Sequence, residues 1–259
     1  MDLASIFAAE RQKQILDFLN KKKRATVKEL SEILNVSEAT LRSDLRTLEK
    51  DALVKRTHGG AVLQEAARSE YSFSVREKKN HSEKVAICRK AAELIESGQC
   101  ILLDGSSTAL ELARILKKTP IRLTVITNGI FAAMELKDNP ELTVILIGGV
   151  IRVGHNSLEG TLGTSILNQI NVDTMFTSAN GFTIEEGLTD FNVYEVELKK
   201  EMVAASSRVV ALLDHSKIGK NSIAAFAATS AISTIITDSQ TPQSMIDRIR
   251  REQVETILA

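Results

Sequence analysis

From residue 100 onward the chain repeats one unit: a short apolar run, a polar or glycine-containing break, then a stretch with helical spacing. The runs stand at 100–103, 123–126, 142–147, 174–178, 209–213 and 234–236, and helical patterns fall at 109–116, 130–136, 195–205 and 242–251. Short continuous apolar runs are strands covered on both faces, and the helices between them supply the crossovers. The alternation predicts an α/β fold with a mainly parallel sheet, led in by a helix that starts near Ser82.

The first 63 residues follow another rule. Ile15, Leu16, Phe18 and Leu19 form a helical stripe that ends in the cationic run 21–24. Thr26 is placed to cap a second helix over 27–34, with Val27, Leu30, Ile33 and Leu34 facing inward. After Asn35 and Val36, Ser37 caps a third helix whose Leu41, Leu45 and Leu48 repeat at i, i+4, i+7. On its outer side lie Ala39, Arg42, Ser43 and Arg46, with Thr40 beside them. Short side chains let a backbone approach the floor of a major groove, where arginine can donate twice to guanine O6 and N7. Residues 53–57 read as a strand, His58-Gly59-Gly60 as a turn and 61–63 as the return strand. That predicts a winged helix-turn-helix in which Lys55, Arg56 and His58 meet the duplex, the two cations at phosphates.

Charge supports the split. Basic and acidic side chains balance at 33 each, but residues 1–63 carry +3 and the remainder −3. Apolar and charged fractions of 43% and 25% exclude disordered and fibrous classes. The longest apolar run, 223–228, is far too short to span a membrane, so no membrane partner is expected. Lys13 and the cations of 21–24 interrupt any secretory core, which predicts a cytoplasmic protein. Cys88 and Cys100 sit in apolar segments and read as buried small hydrophobes. His58, His81, His155 and His215 lack metal-ligand spacing, and no phosphate-binding P-loop, dinucleotide fingerprint or nucleophile elbow is present. Neither metal nor cofactor is expected.

In parallel sheets the ligand crevice lies beyond the carboxyl ends of the strands. The first run is followed by Asp104-Gly105-Ser106-Ser107-Thr108 and then a helix, so hydroxyls and backbone N–H groups gather at a positive helix end. The others end in Thr127-Asn128-Gly129, Gly148-Gly149, Ala179-Asn180-Gly181, Asp214-His215-Ser216-Lys217 and Thr237-Asp238. Lys217 offers a phosphate counter-charge, while Asp104, Asn128 and Asp214 are placed to orient hydroxyls.

The stretch from Ser37 to Leu45, then Leu48-Glu49 and Lys55-Arg56-Thr57-His58-Gly59-Gly60-Ala61, resembles the DNA-binding signature of the DeoR family of bacterial transcriptional regulators. The likeness continues through Phe73, Arg76, Lys84, the 104–108 loop, Thr127-Asn128, Gly148-Gly149, Gly181, 187–189, Glu195, Lys199, Asp214, Lys217 and Thr237-Asp238. Three positions depart from the family habit: Ser43 replaces an arginine, Ser106 a glycine and Gly129 a serine. The resemblance implies a winged helix-turn-helix domain at 1–63, a linker at 64–75 and a sensor domain at 76–259 related in fold to ribose-5-phosphate isomerase. It also implies repression of a carbohydrate operon through operator DNA, relieved by a phosphorylated sugar or related metabolite. The effector residues it implies are Asp104, Ser106, Ser107, Thr108, Thr127, Asn128, Gly148, Gly149, Asp214 and Lys217. A single winged head contacts few bases, so a homo-oligomer, dimer or tetramer, is expected.

Two alternatives stand beside this reading. An isomerase needs a positioned base, and Glu185, Glu186, Asp190 and Glu195 are candidates. The acidic cluster typical of the isomerases is replaced here by Ser178-Ala179-Asn180-Gly181, and Glu195 with Lys199 reads as an intrahelical ion pair, so no catalytic residue is assigned. A winged helix that binds protein is the other.

Overall fold

The computed structural model describes residues 11–259 except 13, 17, 20, 21, 23, 51–53, 58, 64–72, 153 and 154. The His58 assignment and most of the 64–75 linker therefore lie outside the described residues, as do parts of the first helix and of the 21–24 run. The chain divides into two compact units, Met1–Arg76 and Glu77–Ala259.

The first unit packs the described helical residues of 11–22, β1 (Arg24–Thr26), α1 (Val27–Leu34), α2 (Glu38–Lys50), β2 (Val54–Thr57) and β3 (Gly60–Leu63). Its core joins Ile15 and Leu19 to Val27, Leu30, Leu41, Leu45, Leu48 and Val54. α1 starts with a full capping box: Thr26 Oγ1 accepts from Glu29 N–H, and Glu29 accepts in return from Thr26 N–H. Asn35, in the left-handed region at φ 51°, ends it. Ser37 Oγ accepts from Thr40 N–H at 3.2 Å, as the sequence predicts for the cap of α2. Ile33 is a correction: it is 55% exposed. At i+6 from Val27 it stands about a quarter-turn off the axis set by Val27, Leu30 and Leu34.

The wing has three strands, in the order β1-β3-β2. A Cβ on Gly60 would fall 1.9 Å from Ala25 O, so only glycine lets β3 lie against β1. Behind α2, Arg11 grips Asp44 with two hydrogen bonds, Nε–Oδ2 at 2.5 Å and Nη2–Oδ1 at 3.1 Å.

The second unit is the predicted α/β sandwich. Its seven-stranded sheet, wholly parallel, runs β15-β14-β12-β9-β4-β5-β6. In chain order the strands are β4 (Cys100–Leu103), β5 (Leu123–Thr127), β6 (Leu142–Leu146), β9 (Val172–Thr177), β12 (Ser206–Leu212), β14 (Thr234–Thr237) and β15 (Glu255–Leu258). The first six match the apolar runs. Helices α3 (His81–Ala92), α4 (Ser107–Leu116), α5 (Ile130–Leu136), α6 (Val193–Ala204) and α7 (Gln243–Arg251) lie in this unit. β15 went unpredicted because Glu255 and Thr256 break its apolar pattern. Two antiparallel additions were also unpredicted: the pair β7 (Val150–Ile151) and β8 (Leu158–Glu159), and the sheet of β10 (Gly181–Thr183), β11 (Gly187–Asp190) and β13 (Ala224–Ala227). Cys88 is fully buried, whereas Cys100 is half-buried.

Candidate functional sites

In the first unit Ser37, Ala39, Arg42, Ser43 and Arg46 are exposed and Thr40 is half-buried, its hydroxyl 2.9 Å from Ser37 Oγ. Arg42 Nη2 lies 2.8 Å from Glu38 Oε2, one helical turn back. Both groups are solvated, so the pair is worth only about 0.3–0.5 kcal/mol and yields readily to a base edge. Lys55 and Arg56 are exposed on β2. Glu49 of α2 accepts from Arg56 N–H at 3.0 Å and so joins the wing to α2.

In the second unit the loop after β4 carries a network that spacing did not reveal. Asp104 is fully buried. Its Oδ2 accepts from Thr177 Oγ1 at 2.7 Å and Ser178 N–H at 3.0 Å, and Oδ1 accepts from Ser106 N–H. Lys199 Nζ stands 3.0 Å from Asp104 Oδ2 and donates to Asp190 Oδ2 and Ser178 O, each at 2.8 Å. Burial pushes the Asp104 carboxyl up, but the Lys199 charge and the hydrogen bonds from Ser106 and Thr177 hold it below the ordinary carboxylate range. Burial lowers Lys199 in turn, and Asp104 and Asp190 more than reverse this, leaving it raised. The intrahelical Glu195–Lys199 pair is thus corrected: Lys199 bonds across the sheet end, while Glu195 Oε1 accepts from Ser157 Oγ at 2.7 Å.

Ser106 caps α4, its Oγ accepting from Ala109 N–H. The N–H groups of Ser107 and Thr108 have no intrahelical partner, as at any helix start. Gly105 packs so closely on Ser157 that a Cβ there would come within 2.4 Å of the serine Cβ. Asn128 is paired with β8: its backbone carbonyl accepts from Leu158 N–H at 2.8 Å and its Nδ2 donates to Leu158 O at 2.9 Å. Thr127 is fully buried, with Oγ1 taken by Gly129 N–H. Gly149 lies against the Glu159 backbone, and Gly148 is exposed beside Gly163. Lys217 Nζ donates to Ser178 Oγ at 2.7 Å and stands 3.7 Å from Asp214 Oδ2. Asp214 accepts from Asn80 and Ser216; burial raises it, and Lys217 with these bonds brings it below its ordinary value. The structure therefore brings Asp104, Ser106, Ser107, Thr108, Asn128, Asp214 and Lys217 to one rim, linked through Ser157, Ser178 and Lys199. Thr127 supports that rim from beneath, and Gly148-Gly149 only shapes the backing strand.

Sequence reasoning missed Ser157, Glu159 and Asn80, which sit in no motif. Glu159 is 1% exposed. Its Oε1 accepts from Asn192 at 2.7 Å and lies 2.8 Å from His155 Nδ1, and Arg152 Nε is 3.2 Å from Oε2. His155, Glu159 and Glu195 bring ligand-type atoms within 4.8 Å of one another, which histidine spacing alone does not foretell. Among the described residues, three buried side-chain atoms lack a hydrogen-bond partner: Thr108 Oγ1, Asn128 Oδ1 and Glu159 Oε2. Each such atom costs about 1–3 kcal/mol unless something fills the place. All three belong to the rim or to the strand against it.

Residues 11–67 match the DeoR-like helix-turn-helix domain, and residues 79–239 the DeoR C terminal sensor domain. The chain is 44% identical to the HTH-type transcriptional regulator GolR of Listeria innocua, over 95% of this chain and 96% of that protein. It is 34% identical to the HTH-type transcriptional repressor GlcR of Bacillus subtilis, over 98% and 97%. Among solved structures, a ribose 5-phosphate isomerase A from Methanocaldococcus jannaschii shares 20% identity over 54% of this chain and 55% of its own, with a TM-score of 0.40. Among the described residues no helix is long and apolar enough to cross a membrane. A helix-turn-helix unit followed by this sensor unit, matched along nearly the whole length of named regulators, makes the chain a member of the DeoR family of transcriptional regulators.

Proposed function

We propose that residues 1–63 bind operator DNA and that residues 76–259 sense a phosphorylated sugar, joined by a linker at 64–75. Arg42 and Arg46 read bases from α2 with Ser37, Ala39, Thr40 and Ser43 alongside, and Lys55 and Arg56 contact phosphates. The effector seat lies at the start of α4, where Ser106, Ser107, Thr108 and Lys217 receive the phosphate. The observation that carries this reading is the unpartnered buried hydroxyl of Thr108 at the start of α4, where Asp104 accepts from Ser106 N–H and from Ser178 N–H, and Lys217 donates to Ser178 Oγ.

The protein acts as a repressor, in keeping with the name of its relative GlcR. Effector binding favours one arrangement of an oligomer, dimer or tetramer, whose DNA heads then fit or miss two half-sites. The chain works in the cytoplasm and is not an enzyme. Of the four carboxylates an isomerase could use, Asp190 is bonded to Lys199 and Glu195 to Ser157, while Glu185 and Glu186 are exposed to solvent. A thermal-shift screen of the full-length protein against sugar phosphates, followed by operator gel shifts with each hit, tests the reading. A hit that stabilises the protein and changes operator affinity is expected; DNA binding indifferent to every sugar phosphate would sink it.

A further inference from the structure

Near the start of α6, four buried carboxylates meet too little positive charge: Asp104, Glu159, Asp190 and Glu195. Lys199 stands 3.0 Å from Asp104 and 2.8 Å from Asp190, and the charge of Glu195 acts on the same ammonium group. Arg152, exposed and stacked 3.9 Å over the Tyr194 ring, reaches Glu159 Oε2 with Nε at 3.2 Å. Lys217 adds nothing to this count, because Asp214 beside it cancels its charge. With His155 neutral, four carboxylates against Lys199 and Arg152 leave a surplus of two negative charges. Buried charge of one sign is costly unless something compensates it.

Three of these neighbours already have the spacing of metal ligands. His155, Glu159 and Glu195 offer one imidazole nitrogen and two carboxylate oxygens, all within 4.8 Å of one another. His155 Nδ1 and Glu159 Oε1 stand 2.8 Å apart, close to the ~3 Å edge between adjacent ligands that each lie about 2.1 Å from one ion. Two lone-pair atoms at that separation attract each other only through a proton or a cation between them. A second observation points the same way: Glu159 is 1% exposed, and its Oε2 has no hydrogen-bond partner. Both carboxylates are held in place from outside, Glu159 Oε1 accepting from Asn192 Nδ2 and Glu195 Oε1 from Ser157 Oγ, each at 2.7 Å. Such outer bonds orient the ligands of metal centres. His155 is half-buried and gives the cluster its side toward solvent. We propose that His155, Glu159 and Glu195 bind a divalent first-row transition-metal ion of the Mn²⁺ or Zn²⁺ kind, which ties the 155–159 segment to α6. Its two positive charges offset the surplus, and an imidazole among the ligands selects it over Mg²⁺ and Ca²⁺. The site is separate from the phosphate seat at α4 and needs no sugar phosphate to form.

The test is calorimetric titration of the untagged full-length protein, stripped with a chelator and dialysed, with the chlorides of Mn²⁺, Zn²⁺, Mg²⁺ and Ca²⁺. Wild type is compared with His155→Ala and Glu195→Gln. Wild type is expected to take up one Mn²⁺ or Zn²⁺ per chain, about tenfold or more tighter than Mg²⁺ or Ca²⁺, with a higher thermal midpoint when loaded. Each substitution should weaken that ion by about tenfold or more. His155→Ala removes a half-buried ring and leaves the buried acids in place, so it reports on the site if Glu195→Gln fails to fold. Electron spin echo of Mn²⁺ bound to wild type should show coupling to a histidine nitrogen, a reading that needs no variant. Several results would overturn the site: no ion taken up by wild type, bound Mn²⁺ without nitrogen coupling, Mg²⁺ or Ca²⁺ held as tightly as Mn²⁺ and Zn²⁺, or folded variants that bind as wild type does. No sugar phosphate enters the experiment, so its outcome is independent of the sensor reading.

Discussion

Lys199 Nζ stands 3.0 Å from Asp104 Oδ2, with both side chains out of contact with solvent. The contact ties α6 to the loop that begins α4, so that loop depends on a salt bridge that no exposed group can replace. Lys199→Met leaves Asp104 and Asp190 buried without their cation. It should cost about 3–5 kcal/mol, read as a lowered midpoint in urea unfolding.

The same pair sets a pH dependence. Asp104 and Asp214 are held below their ordinary 3.8 in the folded state. A depressed carboxylate contributes stability that is fully present above its unfolded value and is lost as pH falls through the folded one. Stability should therefore hold through neutral pH and fall in the acid range below 3.8, a fall that Lys199→Met reduces. Unfolding midpoints measured across pH 7 to about pH 2 check this.

Arg42→Ala should weaken cognate operator binding by about 1–3 kcal/mol and blur base preference at one position of each half-site. Titration against the operator and its single-base variants measures both. Unchanged affinity would remove Arg42 as a base reader.

Lys55→Ala and Arg56→Ala should weaken cognate and random duplexes alike. Each should also reduce the slope of log affinity against log salt by about one unit, visible in titrations at several salt concentrations.

Thr108→Val replaces an unpartnered buried hydroxyl with a methyl of the same shape. Apo stability should stay level or rise by up to about 1 kcal/mol, while the thermal shift given by a sugar phosphate disappears. A variant that still responds at wild-type effector concentration would place the seat elsewhere.

Much of the fold is legible in the residue pattern because two periods dominate it. Strands β4, β5, β6, β9, β12 and β14 are continuous apolar runs, and α2 repeats leucine at helical spacing. What escapes is whatever depends on long-range pairing. β10, β11 and β13 are short antiparallel strands, and nothing in the 223–228 run announces that its buried residues pair with β11. In the site, hydroxyls and glycines at strand ends mark the rim, because strand ends are where a parallel sheet exposes its backbone. Glu159 lies in the two-residue strand β8 and Ser157 just before it, with no motif to mark either, and only the fold brings Ser157 to Gly105 and both to Glu195. Lys199 misled for a related reason: four residues from Glu195 it had a local partner on paper, but burial against Asp104 and Asp190 offered a stronger one.

The two-pronged hold of Arg11 on Asp44 acts on the reverse side of α2 from Arg42 and Arg46. On the proposed reading of Arg42 and Arg46, a cylinder pinned from behind near its middle cannot roll, so its two guanidinium groups keep a fixed azimuth toward the base edges. Discrimination in this protein is then a matter of aim, and slackening the rear fastening would scramble which sequences are chosen before it diminished how tightly any of them is held.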